Sequence, residues 1–131
     1  MKLNSKVNDI NISNNKLFEI LTVIENFKKI MPENISKFEI IDGETFIFSL
    51  KGMPVIKLVI GEKTTPTSIV LNSIESKISF SLTAYIKKID DNNCSFELEF
   101  NGDLNPMIQM MVKNPLQSFI DDLSNNTSKL I

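Results

Sequence analysis

At 131 residues the chain has the length of a single domain spanning residues 1–131, large enough to bury a real core. Its 42% hydrophobic and 23% charged residues are ordinary for a globular protein, and a net charge of −2 supplies no general attraction to nucleic acid or anionic membranes. The chain contains no Arg, His or Trp, which removes bidentate capture of phosphate or carboxylate, the usual general base and the commonest metal ligand.

In chain order, residues 2–12 alternate, with Leu3, Ser5 and Val7 set against Asn4, Lys6 and Asn8, as in a half-buried strand. No apolar run fit for a signal peptide occurs at this end, and no apolar stretch anywhere is long enough to span a membrane. Ser13 is placed to cap a short helix over 14–24, with Leu17, Phe18, Ile20, Leu21 and Ile24 as its apolar stripe. Asn26 starts a second short helix, 27–31, which Pro32 ends.

From Ile35 the period changes to two. Phe38 and Ile40 lead into Asp42-Gly43, the signature of a type I′ hairpin, and Phe46, Phe48 and Leu50 share one face of the partner strand. Lys51-Gly52-Met53-Pro54 is a turn. Ile56, Leu58 and Ile60 alternate with Val55, Lys57 and Val59, and Gly61 marks a bulge. After a turn at 64–67, the strand over 68–76 mixes polar and apolar residues on both faces. The next is clear: Ile78, Phe80, Leu82, Ala84 and Ile86 point inward, and Ser79, Ser81, Thr83, Tyr85 and Lys87 outward. Beyond a polar turn at 90–93, Cys94, Phe96, Leu98 and Phe100 again point inward. Cys94 is the single cysteine, so no internal disulfide forms and the chain suits a reducing compartment; a cytoplasmic protein is expected. With no His to activate it, Cys94 reads as a small buried hydrophobe.

Asn105-Pro106 opens the last helix, with Asn as cap and Pro at the first helical position. The pair recurs at Asn114-Pro115, where a kink, or a break and restart capped by Asn114, is expected. Leu116, Phe119, Ile120 and Leu123 form one face of the second half, and Gln117, Ser118, Asp121, Asp122 and Ser124 the other. The first half is apolar nearly all round: Met107, Ile108, Met110, Met111 and Val112, with Gln109 the polar exception. Such a turn is expected to be buried on every side or to border a cavity, and Met suits adaptable binding surfaces. The order of elements implies an α+β fold in which a curved, seven-stranded antiparallel sheet wraps the C-terminal helix, with two short helices between strands 1 and 2.

Three strings resemble the START-like, helix-grip superfamily (SRPBCC, or polyketide cyclase-like): KVNDINISNNKLFEIL, IENFKKIMPENI and NPMIQMMVKNPLQSFIDDL. The resemblance covers essentially the whole chain, and its motifs are patterns rather than a chemical signature. It implies a ligand-sized cavity between sheet and helix, of the kind that holds lipids, sterols or polyketides in many members.

The leading expectation is therefore non-enzymatic binding or carrying of a small hydrophobic ligand. Its lining would come from Met107, Ile108, Met111 and Phe119 of the helix and Phe48, Leu58, Phe80, Leu82 and Phe96 of the sheet. A solid core that leaves no useful cavity is the competing reading of the same residues. An enzyme of the cyclase or hydratase type would need an acid or base in the cavity. Tyr85, Glu39, Glu97 and Glu99 fall on the outward face and Lys57 opposes the apolar triplet of its strand, so the balance is against catalysis and no catalytic residue is assigned. A third reading is a protein-interaction module, with Ile41, Ile47 and Val70 as outward apolar residues. No cofactor, metal, nucleic-acid partner or stable membrane insertion is expected; a protein partner stays open.

Overall fold

The structure is a computed structural model that describes residues 1–75 and 78–130. Among these residues the chain runs β1 (Lys2–Asn4), β2 (Asn8–Ile10), α1 (Asn14–Leu21), α2 (Glu25–Ile30), β3 (Ile35–Ile40), β4 (Thr45–Leu50), β5 (Ile56–Thr64), β6 (Ser68–Ile74), β7 (Phe80–Asp90), β8 (Asn93–Gly102) and α3 (Pro106–Asn126), closing with a 3-10 turn (Thr127–Leu130). The strands make one curved antiparallel sheet in the order β1-β8-β7-β6-β5-β4-β3, with β2 also paired to β8. Consecutive strands from β3 to β8 are neighbours, so this part is a meander. The fold is α+β with a helix-grip arrangement.

The expected first strand is two. Leu3 pairs with Phe100 and Ile10 with Cys94, but the chain leaves the ladder between them. Ser5 Oγ accepts from the Leu98 amide at 2.9 Å and donates to the Lys6 carbonyl. The Lys6 amide turns away to donate to Asp121 of α3 at 2.9 Å, and Val7 is left exposed. The two short helices thus follow the second strand segment rather than the first.

Local chemistry explains the rest. Ser13 Oγ accepts from the Lys16 amide and caps α1. Helix α2 starts two residues earlier than expected, without a side-chain cap; Asn26 instead donates to the Ile20 carbonyl at the end of α1. The Asp42-Gly43 turn is not type I′, because Gly43 does not have the positive φ that such a turn requires. Asp42 Oδ1 accepts from the Glu44 amide, and Thr45 returns a carbonyl to Ile41, so the loop is longer than two residues. Gly52 does carry φ of +82°, with the Met53 amide bonded to Leu50, as a type II turn needs. The pairing of β5 with β6 shifts between Ile60 and Lys63, which is the bulge expected at Gly61. The strand expected over 68–76 is β6, and Ser76 lies outside the described residues. The pairing of β3 with β4 also shifts, between Ile35 and Lys37 at the sheet's far edge.

The inward sets of β7 and β8 are buried as expected: Phe80, Leu82, Ala84 and Ile86, and Cys94, Phe96, Leu98 and Phe100. Aromatic rings fill the space beneath the helices. Phe46 stacks with Phe27 of α2 and with Phe38, at 5.5 and 5.2 Å between centroids, and Phe48 stacks on Phe119 of α3 at 4.9 Å.

Helix α3 neither breaks nor restarts at Asn114. It is one helix through Pro115. Both Asn114 and Pro115 face solvent, where water can take the Met111 carbonyl that proline leaves without its helical partner. Asn114 is therefore not a cap, and Asn114→Ala is expected to change unfolding free energy by no more than about 0.5 kcal/mol in a urea titration. A loss of about 1 kcal/mol would mean that the helix does restart there.

Candidate apolar ligand site

The two halves of α3 sit differently on the sheet. In the second half Leu116, Phe119, Ile120 and Leu123 are buried. Ser124, expected on the solvent face, is buried as well: its hydroxyl donates to the Lys6 carbonyl at 2.8 Å and accepts from Asn8 Nδ2 at 2.8 Å. One partner lies in the break of the first strand and the other opens β2; the polarity of Ser124 placed it outside, although it stands one turn after buried Ile120.

The first half stands off the sheet. Of its apolar residues Val112 is buried and Ile108 is half-buried, while Met107, Met110 and Met111 are 74%, 85% and 70% exposed. Of the two expectations for an apolar-all-round turn, enclosure on every side or a place beside a cavity, the first is corrected. Only the stripe of Ile108 and Val112 finds cover.

Beneath that half lies an apolar cleft of about 180 Å³, lined by Ile108, Met111 and Val112 of α3 with Pro54 and Ile78. Among the described residues no ionisable side chain lines it. The structure thus brings Ile108 and Met111 together. Phe48, Leu58, Leu82, Phe96 and Phe119 lie in the packed core, Phe80 is buried against Phe100 at 4.7 Å between ring centroids, and Met107 is on the open surface. Pro54, Ile78 and Val112 were not singled out from sequence as site residues. Val112 stood in the apolar half of the helix and Ile78 among the inward residues ahead of β7, while Pro54 showed only as the end of the Gly52 turn.

Two larger hollows are polar. One of about 370 Å³ is lined by Met31, Pro32, Glu33, Asn34, Asp122, Asn126 and Lys129, and one of about 320 Å³ by Asn11, Ile12, Ser13, Lys16, Asp91 and Asn92. Among the described residues no group of three or more His, Cys, Asp or Glu side chains is placed to hold a metal, and no helix is long and apolar enough to cross a membrane. Cys94 is buried, and burial, then the Asp9 charge, push its thiol pKa up, which disfavours the reactive thiolate. Tyr85 and Glu39 are exposed and Glu97 and Glu99 half-buried, with Glu99 paired to Lys2 at 3.6 Å; Lys57 pairs with Glu75 at 2.7 Å. Hydrogen bonding and the charge of Lys57 hold the Glu75 carboxyl below its usual pKa. Of the outward apolar residues Ile41 is exposed, and Ile47 and Val70 are half-buried.

A curved antiparallel sheet gripping a long C-terminal helix defines the START-like class of fold. Solved structures agree across the chain's length. A START superfamily protein from Mycobacterium smegmatis matches with a TM-score of 0.68 and 12% identity, over 99% of this chain and 99% of that one. A conserved protein from Geobacillus kaustophilus matches at 0.73 and 13%, over 98% and 93%. Norcoclaurine synthase from Thalictrum flavum, solved with dopamine and hydroxybenzaldehyde, matches at 0.77 and 13%, over 99% and 85%. At these identities the likeness is one of fold. No protein-family model matches the sequence, and no curated protein matches it.

Proposed function

We propose that the protein binds and carries a small hydrophobic molecule, lipid-, sterol- or polyketide-like, without chemically changing it. The observation that supports this reading is that, among the described residues, apolar side chains alone line the cleft under the first half of α3. At about 180 Å³ it is smaller than the roughly 300–1,000 Å³ of sites for drug-sized ligands, so it suits one chain or ring of a larger molecule. Ile108 and Met111 touch the ligand, and flexible Met107 closes over what protrudes. A ligand that reaches further must part the layer of Phe48, Leu58, Phe80, Leu82, Phe96 and Phe119. A cyclase or hydratase reading lacks an acid or base in the cleft lining among the described residues. The exposure of Met107, Met110 and Met111 also favours a second reading, a surface for a protein partner.

Titration with the fluorescent dye 1-anilinonaphthalene-8-sulfonate separates the two. The folded protein is expected to bind the dye, and Met111→Trp, which adds bulk at the cleft, is expected to weaken binding at least tenfold. Because Met111 is mostly exposed, the same change should alter unfolding free energy by no more than about 0.5 kcal/mol. A folded parent that binds no dye would exclude the cleft as a ligand site and leave the surface reading.

A further inference from the structure

The bonds that hold α3 to the rest of the fold are distributed unevenly along it. Beyond Pro115, Gln117 Nε2 donates to the Asn4 carbonyl at 2.9 Å, Asp121 accepts from the Lys6 amide, Ser124 bonds Lys6 and Asn8, and Asn126 Nδ2 donates to the Ile30 carbonyl at 3.1 Å. Four large apolar side chains are buried along the same stretch. Before Pro115, among the described residues, side-chain hydrogen bonds stay within the segment. Asn105 Oδ1 accepts from the Ile108 amide, and Gln109 Nε2 donates to the Leu104 carbonyl. The first half is thus held by Val112 and half-buried Ile108, with Leu104 buried just ahead of it.

Pro115 stands at the boundary between these two regimes. It has no N–H to give the Met111 carbonyl, and its ring crowds that carbonyl, so the helix is weakest where its anchoring begins. The other end of the loosely held half is a non-helical stretch, residues 103–105. Ile108, Met111 and Val112, the helix side of the cleft, all lie between these two points.

We propose that residues 106–114 are a flap, hinged at Pro115 and at the 103–105 connection, that swings to open the apolar cleft while the second half of α3 stays fixed. That the motion admits a ligand rests on the function proposed above; the motion itself does not. Opening uncovers Val112 and the half-buried Ile108 and, among the described residues, breaks no side-chain hydrogen bond to the sheet, so its cost is low compared with lifting the whole helix.

Hydrogen exchange followed residue by residue on the full chain tests the hinge without any ligand. In the parent, amides of residues 116–118, whose helical acceptors at 112–114 lie across the hinge, are expected to exchange at least tenfold faster than those of residues 120–123. In Pro115→Ala the restored bond to Met111 should shrink that ratio about tenfold, and the rate at which 1-anilinonaphthalene-8-sulfonate associates should fall by a similar factor. The ratio, rather than absolute protection, is the readout, because a general gain in stability slows both sets together. Equal protection of residues 116–118 and 120–123 in the parent, or a ratio that Pro115→Ala leaves unchanged, would overturn the hinge. An altered exchange ratio with no change in dye association would overturn its role in entry. A parent that binds no dye would overturn the ligand reading and that role together, with exchange still deciding the hinge.

Discussion

Phe119→Ala is expected to cost about 3–5 kcal/mol of unfolding free energy, the largest effect foreseen for a single residue here. Phe119 is buried, and its ring lies 4.9 Å from that of Phe48, nearly parallel at 11°. Phe48 is itself fully buried and continues into Phe46 at 6.1 Å, so the helix is tied to the sheet through a run of rings. Truncation removes apolar burial and leaves a cavity that the neighbouring rings cannot collapse into without breaking their own stacking. Guanidinium unfolding of Phe119→Ala, Phe48→Ala and the double variant measures both the cost and the coupling. The coupling should be about 0.5–1.5 kcal/mol, the range for a well-oriented aromatic pair. A cost below about 1 kcal/mol for Phe119→Ala would mean that the rings do not hold α3 on the sheet.

Ser124→Ala is expected to cost about 1–3 kcal/mol, a large effect for the loss of one oxygen. The hydroxyl is completely buried and supplies the Lys6 carbonyl with its donor. Asn8 loses an acceptor too but keeps Asn125 Oδ1 at 3.2 Å, so the penalty falls mainly on Lys6. The substitution leaves little void and does not disturb the helix, which isolates the desolvated carbonyl as the cause. Urea unfolding checks the size, and hydrogen exchange at the Lys6 amide, bonded to Asp121 beside it, checks the place. A change within about 0.5 kcal/mol would show that water reaches the strand break.

What could be read from the sequence follows from how far away the deciding partner lies. The alternation of Ile78 to Ile86 and of Cys94 to Phe100 gave their buried faces, because one-sided burial repeats along each strand and needs no knowledge of the other. The same holds for Leu116, Phe119, Ile120 and Leu123. The break at Ser5 to Val7 could not be read that way, since Lys6 bonds residues 115 and 118 positions distant. Asn114-Pro115 has the chemistry of a helix start, and only its position on the solvent side lets the helix run through it. For the candidate site, composition marked Met107, Ile108 and Met111 as apolar but could not say against what. Met107 found solvent, while Ile108 and Met111 found a cleft whose other wall, Pro54 and Ile78, comes from turns carrying no chemical motif.

The two ends of the sheet bear on how such a chain behaves at high concentration. An open sheet offers two rows of backbone groups on which a second copy could add a strand. On one side that row is interrupted between β1 and β2, and the intervening amide and carbonyl of Lys6 are already bonded to α3. On the other, β3 shifts register at Ile35 to Lys37 and sends the exposed charges of Lys37 and Glu39 outward, 3.8 Å apart. Neither border offers a long, flat, apolar template. The irregularities that defeat a simple reading of the strands are the ones that discourage aggregation through them.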